Sequence, residues 1–266
     1  MKTLVITLLL IALILILTLF YIYYQCKYAK EIRVNVKSDK IKDSIKISHI
    51  TDFHSNKLRN MDYFKEKILE FKPDFIILTG DINDYGEPKK FKKALDFLSE
   101  LSKLKIKTYY VSGNHEEAGP MFDEFIEALK DLSVIYLKND GQKLKIRNED
   151  VYIYGISYYN YSFDKFNPSG ESLNIILSHY SKNVRDNIDE EMDIIFSGHT
   201  HGGQVRFPFV GALYAPEEGY LPKFDKGLMK YKKTLIYIDS GLGNTLMDLR
   251  FLNRVQFSNI KINKRQ

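Results

Sequence analysis

The sequence predicts an α/β fold of two mixed β-sheets with flanking helices, preceded by one N-terminal transmembrane helix. In the first half of the 266-residue chain, short apolar runs that end in polar motifs alternate with helical segments, the pattern of a mostly parallel sheet. The second half contains more short apolar runs, enough for a second sheet packed face to face with the first. An almost unbroken apolar run, Leu4 to Tyr24, precedes both halves.

The N-terminal apolar run is long enough to span a membrane. Leu4 to Tyr24 is interrupted only by Thr7 and Thr18, and as a helix it would cover roughly 30 Å. The alternative is a cleaved signal peptide, whose apolar core would be only about 7–15 residues long and would end at a small-residue cleavage site. The segment from Tyr23 to Lys27 offers no such site. We therefore predict an uncleaved single-pass anchor over residues 1–26.

The next segment, residues 27–43, is charged and poor in apolar residues, and we interpret it as a basic juxtamembrane tether. Its basic residues near the apolar run are Lys27, Lys30, Arg33 and Lys37, whereas only Lys2 and the terminal amine precede the run. This asymmetry favours a catalytic domain on the cytoplasmic side of the cell membrane. Long domains are translocated regardless of flanking charge, so the side of the membrane stays open.

Composition excludes some classes of site. Cys26 is the only cysteine, so the chain can form neither an intrachain disulfide nor a thiolate metal cluster. The net charge of +5 is mild and lies partly in the tether and partly at the C-terminal Lys261–Arg265. Because no concentrated basic stripe is present, we do not expect binding to nucleic acid. Nothing in the sequence determines the oligomeric state.

Strands and helices alternate from Ile45 onward. Alternation or short buried apolar runs predict strands over Ile45–Thr51, Phe75–Leu78 and Thr108–Val111. Helical spacing of apolar residues predicts helices over Met61–Phe71, about Pro88–Leu104 and Met121–Leu132. This order is typical of parallel strands joined by helical crossovers.

The second half is predicted to consist mainly of strands. They cover Val134–Leu137, Lys143–Ile146, Val151–Gly155, Asn174–Leu177, Asp193–Phe196, Leu235–Ile238 and a last strand near Val255–Ile262. Two aromatic-rich stretches, Tyr158–Phe166 and Phe207–Tyr231, fit no element. We interpret them as loops whose rings cover a sheet end. The alternative is an apolar wall that faces the substrate or the membrane.

Polar motifs with metal-ligand chemistry close several of the predicted strands. They contain five of the six histidines and read, in chain order, Asp52-Phe53-His54, Gly80-Asp81, Gly113-Asn114-His115, Ser178-His179 and Gly198-His199-Thr200-His201. Because ligands bind at the carboxyl ends of strands in open α/β sheets, we expect these side chains to lie together. Such nitrogen and oxygen ligands suit manganese, iron, zinc or cobalt ions without selecting one of them. The sixth histidine, His49, is interpreted as a core residue.

The motifs suit a pair of divalent ions that acts on a phosphate ester. The Asp81 carboxylate has two oxygens and could bridge both ions. Two ions against the carboxylates of Asp52 and Asp81 leave a formal charge of about +2 for an anionic substrate. A water between the ions would be hydroxide near neutral pH and would be the nucleophile. His115 is expected to stabilise charge or protonate the leaving oxygen, and Glu116 to orient that histidine.

The ordered set Asp-x-His, Gly-Asp, Gly-Asn-His-Glu, His and Gly-His-Thr-His resembles the calcineurin-like metallophosphoesterase superfamily, from about Ile45 to Ile262. The extended run Gly-His-Thr-His-Gly-Gly-Gln-Val-Arg-Phe-Pro, followed by Ser240–Asn244, is similar to the small membrane-anchored bacterial branch. The resemblance implies a four-layer α/β/β/α sandwich over residues 44–266, with a dinuclear metal site at one sheet edge.

The resemblance also implies a role for each residue of the motifs. One ion would be held by Asp52, His54, Asp81 and His201. The second would be held by Asp81, Asn114, His179 and His199, and His115 would be the catalytic histidine. The family usually has aspartate where this chain has Glu116, which puts the pairing of that carboxylate with His115 in doubt.

These observations predict a membrane-anchored phosphoesterase that depends on two divalent metal ions and hydrolyses a phosphoester or pyrophosphate bond. The anchor and the aromatic stretches favour a lipid-linked substrate, since relatives in the branch that this chain resembles include such pyrophosphatases. The alternative is a soluble phosphomonoester or phosphodiester that is cleaved beside the membrane. A non-catalytic, metal-stabilised membrane scaffold is a third alternative, disfavoured because every expected ligand is present.

Overall fold

The computed structural model describes residues 1–85, 87–188, 191–244 and 248–265. Within them, two six-stranded sheets pack face to face, which confirms the predicted α/β class with two mixed sheets. One buried apolar cluster lies between the sheets and takes residues from both, such as Ile77 and Ile175. Two further clusters lie on the outer faces. The core is therefore layered, as a sandwich requires.

The first sheet has the strand order β1-β16-β2-β3-β4-β5. Its strands are β1 Lys30–Ser38, β2 Ser44–Ile50, β3 Phe75–Thr79, β4 Thr108–Val111, β5 Val134–Tyr136 and β16 Gln256–Lys264. Strands β2 to β5 are mutually parallel, β1 is parallel to β16, and β16 is antiparallel to β2. Every residue of β3 and β4 is buried, as expected for central parallel strands.

The second sheet has the strand order β14-β15-β9-β8-β7-β6. Its strands are β6 Asp140–Ile146, β7 Glu149–Gly155, β8 Leu173–Leu177, β9 Ile194–Ser197, β14 Gly227–Tyr231 and β15 Thr234–Ile238. Between β9 and β14 the chain forms two short antiparallel ribbons. They pair β10 Arg206–Phe207 with β11 Gly211–Ala212, and β12 Tyr214–Ala215 with β13 Gly219–Tyr220.

The helices are distributed unequally over the two outer faces. Their bounds are α1 Lys2–Lys27, α2 Met61–Phe71, α3 Pro88–Ser102, α4 Asn114–Glu117, α5 Phe122–Asp131 and α6 Ser181–Arg185. Helices α2, α3 and α5 cover the first sheet with the buried faces that their spacing predicts. The described cover of the second sheet contains only the short α6, supplemented by rings such as Phe163 and Phe166. This packing agrees with the interpretation of Tyr158–Phe166 as a covering loop.

The structure corrects the prediction of a tether over residues 27–43, because Lys30–Ser38 forms strand β1. Its pairing with β16 runs from Lys30 opposite Gln256 to Ser38 opposite Lys264. Val36 is buried in the core between the sheets. Arg33 and Lys37 are exposed on this edge strand, where charged side chains discourage pairing with other chains. A charged segment with alternating apolar residues is thus part of the sheet.

Helix α1 joins this sheet without a flexible linker. It is long and apolar enough to cross a membrane. In its last turn, Gln25 and Cys26 are buried, and the Gln25 carbonyl oxygen accepts a hydrogen bond from the Val255 N–H at 2.9 Å. The Lys27 ammonium lies 2.7 Å from a carboxylate oxygen of Asp248. The helix end is therefore fixed on the globular part.

A fragment that begins at Asp43 is expected to be less stable than one that begins at Gln25, because it lacks β1 and the following turn. Val36 and Ile41 are both buried, and burial of two such side chains stabilises the fold by roughly 3–6 kcal/mol. Urea unfolding of the two fragments should show this difference in the free energy of unfolding. Equal values would contradict the role given to β1, and a Lys37→Ala variant of the longer fragment serves as a control.

Candidate metal centre

The structure brings all seven predicted ligands together at the carboxyl ends of five strands. In chain order they are Asp52 and His54 after β2, Asp81 after β3, Asn114 after β4, His179 after β8, and His199 and His201 after β9. Parallel neighbours within each sheet end at the same edge, so the loops that follow them meet there. This is the arrangement that the strand-end motifs predict.

One group of ligand atoms forms around His54, His201 and Asp52. The Nε2 atoms of the two histidines lie 3.2 Å apart. Asp52 Oδ1 lies 3.4 Å from His201 Nε2 and 3.8 Å from His54 Nε2. All three side chains are buried, and their atoms are close enough to share one metal ion.

A second group forms around His179, His199 and Asp81. His199 Nδ1 lies 3.2 Å from His179 Nε2 and 3.2 Å from the amide oxygen of Asn114. His179 Nε2 lies 3.1 Å from Asp81 Oδ2. The same Asp81 oxygen lies 3.5 Å from His54 Nε2 in the first group. Asp81 therefore stands between the two groups, and Asn114 adds an amide oxygen to the second.

The polarity of the site fits divalent cations. His179 Nδ1 donates to the carbonyl oxygen of Thr79 at 2.6 Å, so Nε2 of the neutral ring carries a lone pair. That lone pair faces Asp81 Oδ2 at 3.1 Å. Two hydrogen-bond acceptors at this distance repel each other unless a proton or a metal ion lies between them. Burial lowers the pKa of His54 and His179, but the carboxylates outweigh burial and raise these pKa values to about 10 and about 9. Positive charge, from protons or from metal ions, therefore stabilises this cluster of side chains.

The two carboxylates are ionised, the state in which a carboxylate can bind a metal ion. Burial alone would raise the pKa of Asp52 and Asp81. The neighbouring imidazoles, chiefly His201 for Asp52 and His179 for Asp81, hold both pKa values below the ordinary range. A divalent ion in each group would replace this proton-dependent stabilisation with metal coordination. The donor set therefore fits two metal ions.

The backbone at the site is held in conformations that residues other than glycine rarely adopt. Asp52, His54, Asp81, His199 and His201 have φ between 47° and 71°. Such strained conformations are concentrated at functional sites, where the surrounding structure holds them. Here they turn the chain sharply after a strand, so that successive side chains point into one cluster.

Two glycines allow the loops to approach each other. A Cβ atom on Gly113 would collide with the Asp81 carboxylate, and a Cβ on Gly198 would collide with the Asp52 carboxylate. These positions explain why the motifs read Gly-Asn-His and Gly-His-Thr-His, with a glycine directly before the ligand.

His115 lies beside the ligands, and Asp84 holds its ring. His115 Nδ1 lies 2.7 Å from Asp84 Oδ1, while Nε2 lies 3.9 Å from Asp81 Oδ2 and so faces the site. The Tyr85 ring covers the imidazole, with ring centroids 3.9 Å apart. Nδ1 therefore donates to a carboxylate, and Nε2 is directed toward the space beside the ligands.

The expectation that Glu116 orients His115 is wrong. The buried Glu116 carboxylate accepts hydrogen bonds from the backbone N–H groups of Gly113, Asp81, Ile82 and Asn83 at 2.6–2.9 Å. Gly113 directly precedes α4, so its bond to Glu116 satisfies a backbone N–H at the start of that helix. Glu116 thus fixes the loop that carries Asp81. Adjacent helical residues do not face each other, so it is directed away from His115.

Two carboxylates near the site are not among the residues that the sequence motifs predict. Asp84 lies on the same loop as Asp81, and its closeness to Asp81 in the sequence could have identified it as a candidate site residue. Glu217 lies in the unassigned aromatic stretch, with Oε1 3.5 Å from His199 Nε2 and 2.6 Å from the donating Tyr158 hydroxyl. No motif marks it, because Glu217 lies in the turn between β12 and β13, and only the fold of the second ribbon brings it back to His199.

His49 is a core residue, as expected. Its Nε2 lies 2.7 Å from the Thr79 hydroxyl, and its ring packs edge-on against Phe196. Burial lowers its pKa to about 3. The ring is therefore neutral and belongs to the packing between the sheets.

Comparisons with known proteins agree with this chemistry. A family model described as calcineurin-like phosphoesterase matches residues 45–203. The uncharacterized metallophosphoesterase YkuE of Bacillus subtilis is 28% identical over 231 residues, which cover 81% of this chain and 78% of the relative. YkoQ of the same organism, also an uncharacterized metallophosphoesterase, is 28% identical over 254 residues, 88% of this chain and 92% of the relative. The phosphodiesterase YaeI of Escherichia coli is 29% identical over 206 residues, 75% of each chain.

Proposed function

Since this chain belongs to the calcineurin-like phosphoesterase family and is a metal-dependent phosphoester hydrolase, we propose that it is a dinuclear enzyme that acts on a phosphorylated substrate at a membrane surface. The observation that carries the dinuclear proposal is the position of Asp81. Its Oδ2 lies 3.5 Å from His54 Nε2 and 3.1 Å from His179 Nε2. A carboxylate oxygen that lies between two groups of ligands has lone pairs enough to be shared by two ions.

In this proposal each ion has nitrogen and oxygen ligands. The first would be held by Asp52, His54, Asp81 and His201, and the second by Asp81, Asn114, His179 and His199. Manganese, iron, zinc and cobalt all accept such ligands. When bound, the two ions supply a water of lowered pKa and positive charge opposite the phosphoryl oxygens.

His115 is the residue that we propose to act on the leaving group. In hydrolysis, a water oxygen forms a bond to phosphorus and gives up a proton to solvent, the bond from phosphorus to the leaving oxygen breaks, and that oxygen takes up a proton from a group that solvent then reprotonates. The His115 imidazolium would donate this proton from Nε2, which faces the site, while Nδ1–H keeps its bond to Asp84. The negative charge of Asp84 would stabilise the imidazolium and fix the ring.

Asp84→Asn is expected to lower kcat about ten- to hundredfold, because a hydrogen bond to a charged group contributes about 1.5–3 kcal/mol. The amide keeps the shape of the side chain but loses the charge opposite His115. At saturating manganese, metal content should stay at the wild-type level, because Asp84 is not itself a proposed ligand, although its Oδ1 lies 3.9 Å from Nδ1 of the proposed ligand His54. Steady-state kinetics on a soluble phosphodiester check this, with the exposed Asp164→Asn as a matched control. An unchanged kcat would contradict the pairing role of Asp84.

Metal dependence is tested first on the full-length chain in detergent, with chromogenic phosphodiester and phosphomonoester substrates. We expect hydrolysis to stop on chelation and to return when manganese is added. The relative named a phosphodiesterase supports trying the diester first. Hydrolysis that persists after complete removal of metal would contradict the proposal. Two bound ions without hydrolysis of any phosphoester would favour the alternative of a metal-stabilised scaffold.

The substrate class that we propose is a lipid-linked phosphoester or pyrophosphate in the bilayer that α1 would span. The fixed junction between α1 and the globular part supports this proposal, because it would hold the site at a constant distance from the membrane. The alternative remains a soluble phosphomonoester or phosphodiester that is cleaved beside the membrane.

The two substrate classes are separated by comparing the full-length chain in vesicles with the fragment that begins at Gln25. Rates on a water-soluble diester should be equal. On a lipid-linked pyrophosphate in the same vesicles, the fragment should be slower by at least about tenfold, since tethering raises the effective concentration of enzyme at the bilayer. Equal rates on both substrates would favour the soluble alternative.

A further inference from the structure

An exposed apolar surface lies on the two ribbons that follow the metal centre. We name it the ribbon surface, and its large exposed side chains are Phe207, Phe209, Val210, Leu213, Tyr214, Tyr220, Leu221 and Leu252. The ring of Phe209 is fully exposed at the tip of the first ribbon. Contiguous exposed apolar groups on this scale mark a contact with a partner or a membrane.

The ribbon surface has a fixed base. The Arg206 guanidinium donates to the Gly202 carbonyl oxygen at 2.9 Å and pairs with the Asp225 carboxylate. The Arg206 N–H donates to the Phe251 carbonyl oxygen at 3.0 Å, and the Leu221 N–H joins the second ribbon to Leu213 at 3.0 Å. The first ribbon begins shortly after the turn His201–Gly203, so its base is tied directly to the metal centre.

The ribbon surface is continuous with helix α1. The Phe251 ring contacts both, with its centroid 5.7 Å from that of Tyr21 and 6.0 Å from that of Phe207. Tyr21 lies about 9 Å along the helix axis from Lys27, the last residue of α1. Contact at Tyr21 therefore places the base of the first ribbon beside α1, closer to the N-terminus of the helix than its last residue.

The position of Tyr21 on α1 would coincide with the membrane–water interface of a bilayer that α1 spans. Tyr21, Tyr23 and Tyr24 occupy the last turns of α1, and tyrosine side chains are typical of membrane–water interfaces. Phe251, Phe207 and the exposed Phe209 continue this aromatic belt from the helix onto the globular part. Contact with lipid explains why these rings are exposed on the protein, because insertion transfers aromatic and aliphatic side chains from water to an apolar environment.

We propose that the ribbon surface inserts into the leaflet from which α1 emerges, as a second contact of this chain with the lipid bilayer. The inference rests on the proposed membrane anchoring by α1. With two contacts, α1 and the globular part cannot tilt together relative to the bilayer, and the metal centre, which lies just before the first ribbon in the chain, is held near the lipid headgroups. Phosphoryl groups carried by lipids would then reach the site without leaving the bilayer.

The depth of the ribbon surface is measured with single tryptophans, because the natural sequence contains none. Three full-length variants are reconstituted in phosphatidylcholine vesicles whose acyl chains carry bromine at shallow or deep positions. Phe209→Trp tests the ribbon surface, and Leu13→Trp tests insertion of α1. Leu69→Trp is the exposed control on α2, near the edge of the sheet opposite the metal centre. Hydrolysis of a soluble diester checks that each variant is folded.

We expect shallow bromines to quench Phe209→Trp at least twofold more than Leu69→Trp, with emission at a shorter wavelength than in the control. Deep bromines should quench Leu13→Trp. An unquenched Phe209→Trp beside a quenched Leu13→Trp would overturn the inference and leave the anchor standing. Short-wavelength but unquenched emission from Phe209→Trp would instead assign the ribbon surface to a protein partner or a second copy. An unquenched Leu13→Trp would overturn the anchor and, with it, the inference.

Discussion

Asp81→Asn is expected to abolish hydrolysis, with a loss of activity greater than about hundredfold. Loss of an outer hydrogen-bond partner of a metal ligand already costs roughly 10–100-fold, and Asp81 is proposed to contact both ions directly. Asparagine loses the negative charge, and if its oxygen accepts the His115 N–H in place of Oδ1, an NH₂ group that cannot bind a metal ion takes the position of Oδ2. Metal content should fall below two ions per chain, which metal analysis of the purified variant can measure.

Folding of the Asp81→Asn variant is expected to survive. Asp81 Oδ1 accepts the backbone N–H of His115 at 3.0 Å, and the asparagine oxygen can accept the same bond. Circular dichroism therefore separates loss of metal from loss of structure. The exposed Asp164→Asn, with the same chemical change, should keep full activity. Retention of full activity by Asp81→Asn would refute the proposed shared ligand.

His115→Ala is expected to lower kcat by about 10²–10⁴-fold, the range that general acid–base catalysis contributes. The proposed role of His115 is on the leaving group, so metal content should remain at two ions per chain. The loss should shrink on substrates whose leaving groups are good, because these need little protonation. Comparison of nitrophenyl and alkyl phosphodiesters measures this dependence.

His201→Ala is the matched control for this prediction, because it removes an imidazole that is proposed to bind metal. Its activity and its metal content should fall together, whereas in His115→Ala only the activity should fall. Parallel loss of metal in both variants would mean that His115 serves the ions and would contradict its assignment to the leaving group.

The seven proposed ligands could be predicted because each follows a strand that is itself predictable. β3 and β4 are short apolar runs buried on both faces, and the residue after such a run lies at the edge where ligands bind. The order of the motifs then determines which side chains meet. Their geometry could not be predicted, since the left-handed turns at Asp52 and Asp81 depend on packing between the two sheets.

Strand β1 could not be predicted as easily, because an edge strand buries only one face. Val34 and Val36 alternate with charged and polar residues, and the charges dominate the composition of the segment. Its partner β16 lies at the opposite end of the chain, so the pairing depends on long-range contacts. Segments of this kind resemble linkers until the sheet is known.

The partner of His115 was mispredicted for a local reason. Glu116 is adjacent to His115 in the sequence, which favours it as the partner. Both residues lie in α4, however, and consecutive side chains of a helix point in different directions. Glu116 is the third residue of α4, a position from which a glutamate side chain can reach back to the N–H of the residue before the helix. Asp84 reaches His115 across a loop, and only the folded chain brings these two residues together.

The central claim, that two ions share Asp81, is tested most directly by metal titration of the chelated, full-length chain. Activity on a soluble phosphodiester and the number of bound manganese ions are measured on the same samples. We expect binding of two ions per chain, with hydrolysis appearing only as the second ion binds. Full activity at one bound ion per chain would contradict the claim.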